Sequence, residues 1–219
     1  MIEIYPSILA ADFANLAKEI HKVEGHVKCL HIDVMDGNFV PNLSIGPPVI
    51  KSIRKVTSLG LDVHLMVSRP GNILKSILDA GVDNVTLHYE SVDEISLLEL
   101  VEIIHKAGKT AGISISPDTP TSALINLLPF IERILCMTVE PGFGGQSFQM
   151  EMLDKIRSLS HMIQKINPKV SIEVDGGITK DTAPLVVEAG AEILVAGSAI
   201  FGNPDPALAI QEIQNSIRK

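Results

Sequence analysis

His31, Asp33 and Met35 alternate with Ile32 and Val34 along a short apolar run that ends in Asp36-Gly37. In a β-strand, residues i and i+2 share a face. The alternation therefore sets an imidazole, a carboxylate and a thioether on one side and two branched aliphatics on the other. A buried imidazole and carboxylate side by side are costly without compensation. Metal coordination and proton transfer are the chemistries that compensate such a pair. Asp36 falls out of that register and reads as a strand-end or loop residue outside the catalytic set.

Other short apolar runs end in polar groups of the same kind. These are Ser7, His64 with Met66, His88 with Glu90, Ser116, Met137 with the loop 140–147, Asp175 with Gly176-Gly177, and Gly197-Ser198. His31, Asp33, His64 and Asp175 match one divalent ion, Zn²⁺, Fe²⁺, Mn²⁺ or Co²⁺, by ligand type. Any one of them alone is an ordinary hydrogen-bonded strand-end residue. Four at equivalent strand ends favour a metal, although they come from separate runs and carry no local ligand spacing.

Gly142, Gly144, Gly145, Gly176, Gly177 and Gly197 follow the last three runs. Glycine lets backbone N–H groups approach an anion closely, and a helix N-terminus adds a favourable dipole. Tight turns are the rival explanation, strongest for Gly142. The Gly176-Gly177 and Gly197-Ser198 pairs read as a phosphate seat. A phosphate held without Lys or Arg agrees with the net charge of −8. Together the two signals describe a small phosphorylated substrate and acid/base chemistry. A metal on a ketone oxygen acidifies the neighbouring C–H by stabilising the enediolate. One aspartate takes the proton and another returns it. From opposite faces, the outcome is inversion. Met35, Met66 and Met137 read first as core filler, and second as candidates for packing against the planar intermediate.

Positioning these groups requires eight strands. The apolar runs 2–5, 29–34, 61–66, 84–87, 110–115, 134–139, 171–174 and 193–196 are the strand candidates. Helical patterns fill 13–23, 48–56, 73–80, 97–107, 122–128, 152–166, 182–189 and 206–217. Leu97, Leu100, Val101 and Ile104 show helical spacing. Asp118 or Thr121 is placed to cap the fifth helix, and Thr179 or Asp181 the seventh. Ala80-Gly81, Ala107-Gly108 and Ala189-Gly190 each close a helix before a strand, where glycine suits the left-handed position. Eight alternating βα units predict a (β/α)8 barrel, one domain over residues 1–219, with its site at the C-terminal strand ends. An open doubly wound sheet would usually carry a Gly-rich first turn, and the segment 6–12 has no glycine.

Composition narrows the classes. A net charge of −8 with no basic cluster argues against nucleic acid. No apolar run approaches the ~20 residues that span a bilayer. The first six residues lack a basic-then-apolar signal pattern. Cys29 and Cys136 read as buried thiols in a reducing compartment. The expectation is a cytoplasmic protein without membrane or nucleic-acid partners.

Several stretches then resemble the ribulose-phosphate 3-epimerase family. They are His31-Ile32-Asp33-Val34-Met35-Asp36-Gly37 with Phe39-Val40-Pro41-Asn42, Asp62-Val63-His64-Leu65-Met66-Val67, Val139-Glu140-Pro141-Gly142-Phe143-Gly144-Gly145-Gln146, Glu173-Val174-Asp175-Gly176-Gly177-Ile178, and Val195-Ala196-Gly197-Ser198-Ala199-Ile200-Phe201. Pro6-Ser7-Ile8-Leu9-Ala10-Ala11-Asp12-Phe13 is similar too.

The resemblance implies a barrel of the ribulose-phosphate-binding type. Its expected activity interconverts D-ribulose 5-phosphate and D-xylulose 5-phosphate in the pentose phosphate pathway of carbohydrate metabolism. It implies one divalent metal on His31, Asp33, His64 and Asp175, with Asp33 and Asp175 as acid/base pair. Ser7, His64 and Gly142 are expected at the substrate, and Gly144, Gly145, Gly176, Gly177, Gly197 and Ser198 at its phosphate. A homo-oligomer is expected.

Ser116 departs from the family, where many relatives carry Asn or Lys, and bears on substrate preference. Allulose-6-phosphate 3-epimerase, with the same metal chemistry on a six-carbon sugar, is the nearest alternative. Gly144 and Gly177 favour the pentulose enzyme. Metal-free barrel decarboxylases and lyases rest on an Asp-x-Lys-x-x-Asp run, and Met35 stands where that lysine would be. A non-catalytic phosphate-binding barrel leaves the acid/base pair without a purpose.

Overall fold

The structure is a computed structural model describing residues 2–218. Eight strands, β1 (Glu3–Pro6), β2 (Cys29–Met35), β3 (Gly60–Met66), β4 (Asn84–His88), β5 (Thr110–Ile115), β6 (Arg133–Met137), β7 (Ser171–Asp175) and β8 (Ile193–Ala196), form one parallel sheet. From β2 to β8 each strand pairs with its sequence neighbour, β1 pairs with β8, and an isolated parallel bridge between Ser7 and His31 closes the seam between β1 and β2. The architecture is the (β/α)8 barrel expected.

Around it lie α1 (Leu16–Val23), α2 (Pro47–Ile53), α3 (Gly71–Asp79), α4 (Glu94–Lys106), α5 (Met152–Ile166), α6 (Ala183–Ala189), α7 (Ser198–Phe201) and α8 (Pro206–Ile217). The expected helix over 122–128 is instead two short 3₁₀ segments, Thr121–Leu124 and Leu128–Phe130. Pro129 has no N–H to donate back along a helix, and this breaks the continuous α-helix. Its cap position is Pro120, not Asp118 or Thr121. The N-cap of α6 is Thr182, not Thr179 or Asp181; Thr179 Oγ1 accepts from the N–H groups of Asp181 and Thr182 before the helix begins. Gly81, Gly108 and Gly190 all have positive φ after their helices (90°, 71° and 116°), as the Ala-Gly punctuation predicts. The short α7 directly after β8 is an addition to the expected elements.

Strand alternation sorts the side chains into two environments. Leu30, Ile32, Val34, Leu61, Val63 and Leu65 face the helices and join one large apolar core. The other face fills the barrel lumen, and there the packing is polar: His31, Asp62, His64, Asn84, Thr86, His88, Ser114 and Glu173 are buried. Burying so many polar groups is tolerable only if each finds a partner. The same lumen leaves no room at Gly112, where a Cβ would meet Thr86 Oγ1 at 2.5 Å.

Candidate active site

Register brings the chemistry together. Asp33 of β2 lies beside His64 of β3, Met35 beside Met66, and Met137 of β6 beside Asp175 of β7. His31, Asp33, His64 and Asp175 each offer one ligand atom, all within 4.8 Å of one another. Asp33 Oδ1 is 3.3 Å from both His31 Nε2 and His64 Nδ1, and Asp175 Oδ2 is 4.0 Å from His64 Nδ1. Asp33 Oδ2 is turned to Ser7, whose hydroxyl donates to it at 2.6 Å.

These four residues fit a divalent ion. His31 Nε2 is fully buried and has no hydrogen-bond partner among the described residues. Its other nitrogen, Nδ1, is 2.7 Å from Asp62 Oδ2. A carboxylate accepts the Nδ1 proton there, leaving a lone pair at Nε2 as a metal-ligating imidazole requires.

The two aspartates lie in different fields. Burial works to raise the Asp33 carboxyl, but the charge of His31 first, and then the two imidazoles facing Oδ1, outweigh it and hold Asp33 well below the carboxylate range. Asp175 is pushed up to about 7, by burial first and then by the Asp33 charge. Carboxyl groups pushed apart in this way are suited to opposite roles in proton transfer. His64 is lowered to about 4, chiefly by burial. Burial also opposes the charge of His31, yet Asp33, Asp62 and Glu173 outweigh it and raise its value. A cation at Nε2 would supply the positive charge this acidic setting calls for.

One cavity at the C-terminal strand ends is lined by Ser7, Asp33, Met35, Met66, Met137, Asp175 and the glycine loops that hold Gly142, Gly144, Gly145, Gly176, Gly177, Gly197 and Ser198. His31 and His64 sit behind that wall, fully buried. Asp175 remains 19% exposed and reaches the cavity. Met35 and Met66 pack with Val40, and Met137 with Leu135 and Val139, so the floor is apolar.

The glycines differ in what they require. Gly142 has φ 123°, and a Cβ there would stand 3.1 Å from Val40, which fits the tight-turn explanation. Gly144 and Gly145 open onto empty space. Gly176 and Gly177 have positive φ and no room, the second because a Cβ would run into the Phe148 backbone nitrogen. Thr138 Oγ1 donates to the Gly176 carbonyl at 2.6 Å and Thr182 Oγ1 to the Gly177 carbonyl at 2.9 Å. In a trans peptide the N–H points opposite to the preceding carbonyl. Thr138, which lies outside the cavity wall, thus turns the Gly177 N–H away from itself.

Sequence reasoning passed over the lumen layer beneath the site. Arg133 Nη1 bridges Asp62 Oδ1 (2.8 Å) and Glu173 Oε2 (3.1 Å), and Asn84 donates to Asp62 at 2.5 Å. His31, Asp62 and Glu173 form a second donor group by type. Arg133 bridges the two carboxylates, and Glu173 is pushed above the ordinary carboxylate range by burial first and then by the Asp62 charge. The signal was present in the period of two: Asp62 precedes His64, and Glu173 precedes Asp175, on the same strand faces. Asp36 stays outside the site, accepting from the N–H groups of Asn38, Phe39 and Ser68.

Fold and site together define a (β/α)8-barrel enzyme with an aspartate pair, a candidate metal centre and glycine-rich loops at one mouth. The profile of the ribulose-phosphate 3 epimerase family matches residues 3–201. Ribulose-phosphate 3-epimerase of Bacillus subtilis is 45% identical over 218 residues, covering 99% of this chain and 100% of the relative. The protein of that name from Mycobacterium bovis is 45% identical over 211 residues, 96% and 91% of the two chains. The chain belongs to the ribulose-phosphate 3-epimerase family. A solved 3-keto-L-gulonate-6-phosphate decarboxylase from Vibrio cholerae shares the fold, with TM-score 0.76 at 16% identity over 99% of this chain and 97% of that one. Among the described residues, no helix is long and apolar enough to cross a membrane.

Proposed function

We propose that this isomerase interconverts D-ribulose 5-phosphate and D-xylulose 5-phosphate by proton transfer at C3. The observation that carries the reading is the separation of the two aspartates: Asp33 is held ionised, while Asp175 is pushed to about 7 beside the same cavity. His31 Nε2, Asp33 Oδ1, His64 Nδ1 and Asp175 would hold one divalent ion, Zn²⁺, Fe²⁺, Mn²⁺ or Co²⁺ by donor type. When bound, such an ion polarises the ketose carbonyl and stabilises the charge that develops on its oxygen.

The chain's own groups do the rest. Asp33 accepts the C3 proton, with Oδ2 held in place by Ser7. Asp175, its carboxyl pushed up to about 7, delivers a proton to the same carbon, and the roles exchange in the reverse direction. Met35, Met66 and Met137 shield the planar enediolate from water. Backbone N–H groups at Gly144, Gly145, Gly177, Gly197 and Ser198 hold the phosphate, and acidic charge elsewhere leaves that seat to the backbone. Met35 at the position a lyase would give to lysine supports epimerisation over C–C cleavage. Buried free thiols at Cys29 and Cys136 support a reducing, cytoplasmic setting, and the family reading adds a homo-oligomer.

Incubation with ribulose 5-phosphate in D₂O should place deuterium at C3 and yield xylulose 5-phosphate. Folded protein that exchanges no C3 proton overturns the reading. A parallel assay with allulose 6-phosphate settles pentulose against hexulose preference.

A further inference from the structure

His64 meets a second histidine on the side away from the carboxylates. Its Nε2 is 2.8 Å from Nε2 of His88, and the two rings stack with centroids 4.9 Å apart at 24°. His88 is fully buried on β4. Its Nδ1 lies 2.9 Å from Glu90 Oε2, just beyond the strand end. The other Glu90 oxygen, Oε1, accepts from the Ser116 N–H at 2.8 Å and from the Thr119 hydroxyl.

Hydrogen-bond direction along this chain is determined by its far end. An ionised carboxylate only accepts, so His88 Nδ1 carries a proton. Two ring nitrogens 2.8 Å apart share one proton, so one donates and the other accepts; with the His88 proton on Nδ1, its Nε2 is the acceptor and receives from His64. His64 Nε2 is then the N–H, and His64 Nδ1 is left with a lone pair 3.3 Å from Asp33 Oδ1. Two electron-rich atoms facing each other in a buried site are repulsive unless a cation lies between them.

We propose that Glu90 is a positioning residue which, through His88, fixes the tautomer of His64 so that Nδ1 is free to ligate a divalent cation. The inference rests on the metal reading above. It gives the two imidazoles opposite ligating nitrogens, each set by the group behind it. His31 presents Nε2 because its Nδ1–H donates to Asp62, and His64 presents Nδ1 because Glu90 acts through His88. It also explains the packing of the loop after β5, since the Ser116 N–H and Thr119 hold the outer oxygen of Glu90.

Glu90→Gln is the sharp test. The Ser116 N–H keeps an oxygen at the outer position, so the new amide NH₂ faces His88 Nδ1. The chain then reverses: His88 Nε2 becomes the N–H, His64 Nε2 accepts, and a proton sits on His64 Nδ1 where the ion belongs. Wild-type and E90Q protein, stripped with chelator, are titrated with Zn²⁺ against a chromophoric competitor. Histidine ¹⁵N shifts are recorded on the metal-free samples. The expected result is a loss of Zn²⁺ affinity of roughly 10–100-fold and a switch of His64 from Nε2–H to Nδ1–H. Unchanged affinity and tautomer in folded E90Q overturn the role of Glu90. Wild-type protein that takes up no ion overturns the metal reading itself. Should E90Q not fold, the wild-type ¹⁵N shifts alone decide, and an Nδ1-protonated His64 overturns the proposal.

Discussion

Ser7 Oγ donates to Asp33 Oδ2 at 2.6 Å across the seam where the first strand meets the second. The bond splits the labour of one carboxylate. Oδ1 faces the two imidazoles, and Oδ2 is aimed by a hydroxyl that also accepts from the Leu9 N–H. A hydrogen bond to a charged group contributes about 1.5–3 kcal/mol. Ser7→Ala should therefore lower kcat by roughly 10–100-fold and the melting temperature by several degrees. Near-normal turnover in S7A would show that Asp33 does not depend on this bond.

Asp33→Asn and Asp175→Asn should each reduce kcat by roughly 10²–10⁴-fold while circular dichroism stays that of the folded barrel. Single-turnover exchange in D₂O separates them by direction. Loss of the base stops C3 exchange outright, and loss of the acid leaves exchange faster than epimerisation. A variant with ordinary turnover removes that residue from the pair.

Gly177→Ala tests whether the strand 7 glycines are fixed by shape as well as by ligand. Its φ of 65° and the clash an added Cβ would make with the Phe148 backbone nitrogen force the β6–α5 loop to move. The expected cost is about 1–3 kcal/mol in stability, together with a raised KM for the sugar phosphate. Gly144→Ala, open on all sides, should leave stability unchanged. Equal stability of both variants would show that the loop yields freely.

Acid should loosen the loop over the site. Burial works to raise Asp36, but hydrogen bonds from the Phe39, Ser68 and Asn38 N–H groups outweigh it, so its folded pKa lies below the ordinary 3.8. A depressed carboxyl contributes stability that is fully present above the unfolded value and is lost as pH falls through the folded one. Asp36→Asn should lower stability at pH 7 by about 1–2 kcal/mol, and the gap to wild type should narrow below pH 3.8. Thermal melts from pH 7 downward measure it. A gap independent of pH would assign the loss to packing.

Much of this protein is written locally. Period-two alternation placed His31 and Asp33 on one face and excluded Asp36, because a strand offers only two sides. The Ala-Gly steps at Gly81, Gly108 and Gly190 announced helix ends, because only glycine takes positive φ without strain. The run 122–128 misled because its apolar spacing is helical while Pro129 denies the backbone bond. Residues far apart in sequence were another matter. Closure of the barrel decided that Asp33 Oδ1 stands 3.3 Å from two histidines of different strands. It also decided that Arg133 bridges Asp62 and Glu173 in the lumen, and that Glu90 reaches His64 through His88. Residue type and period are properties of the chain. Which nitrogen of a histidine holds a proton depends on what stands behind the ring, and only the folded barrel puts anything there.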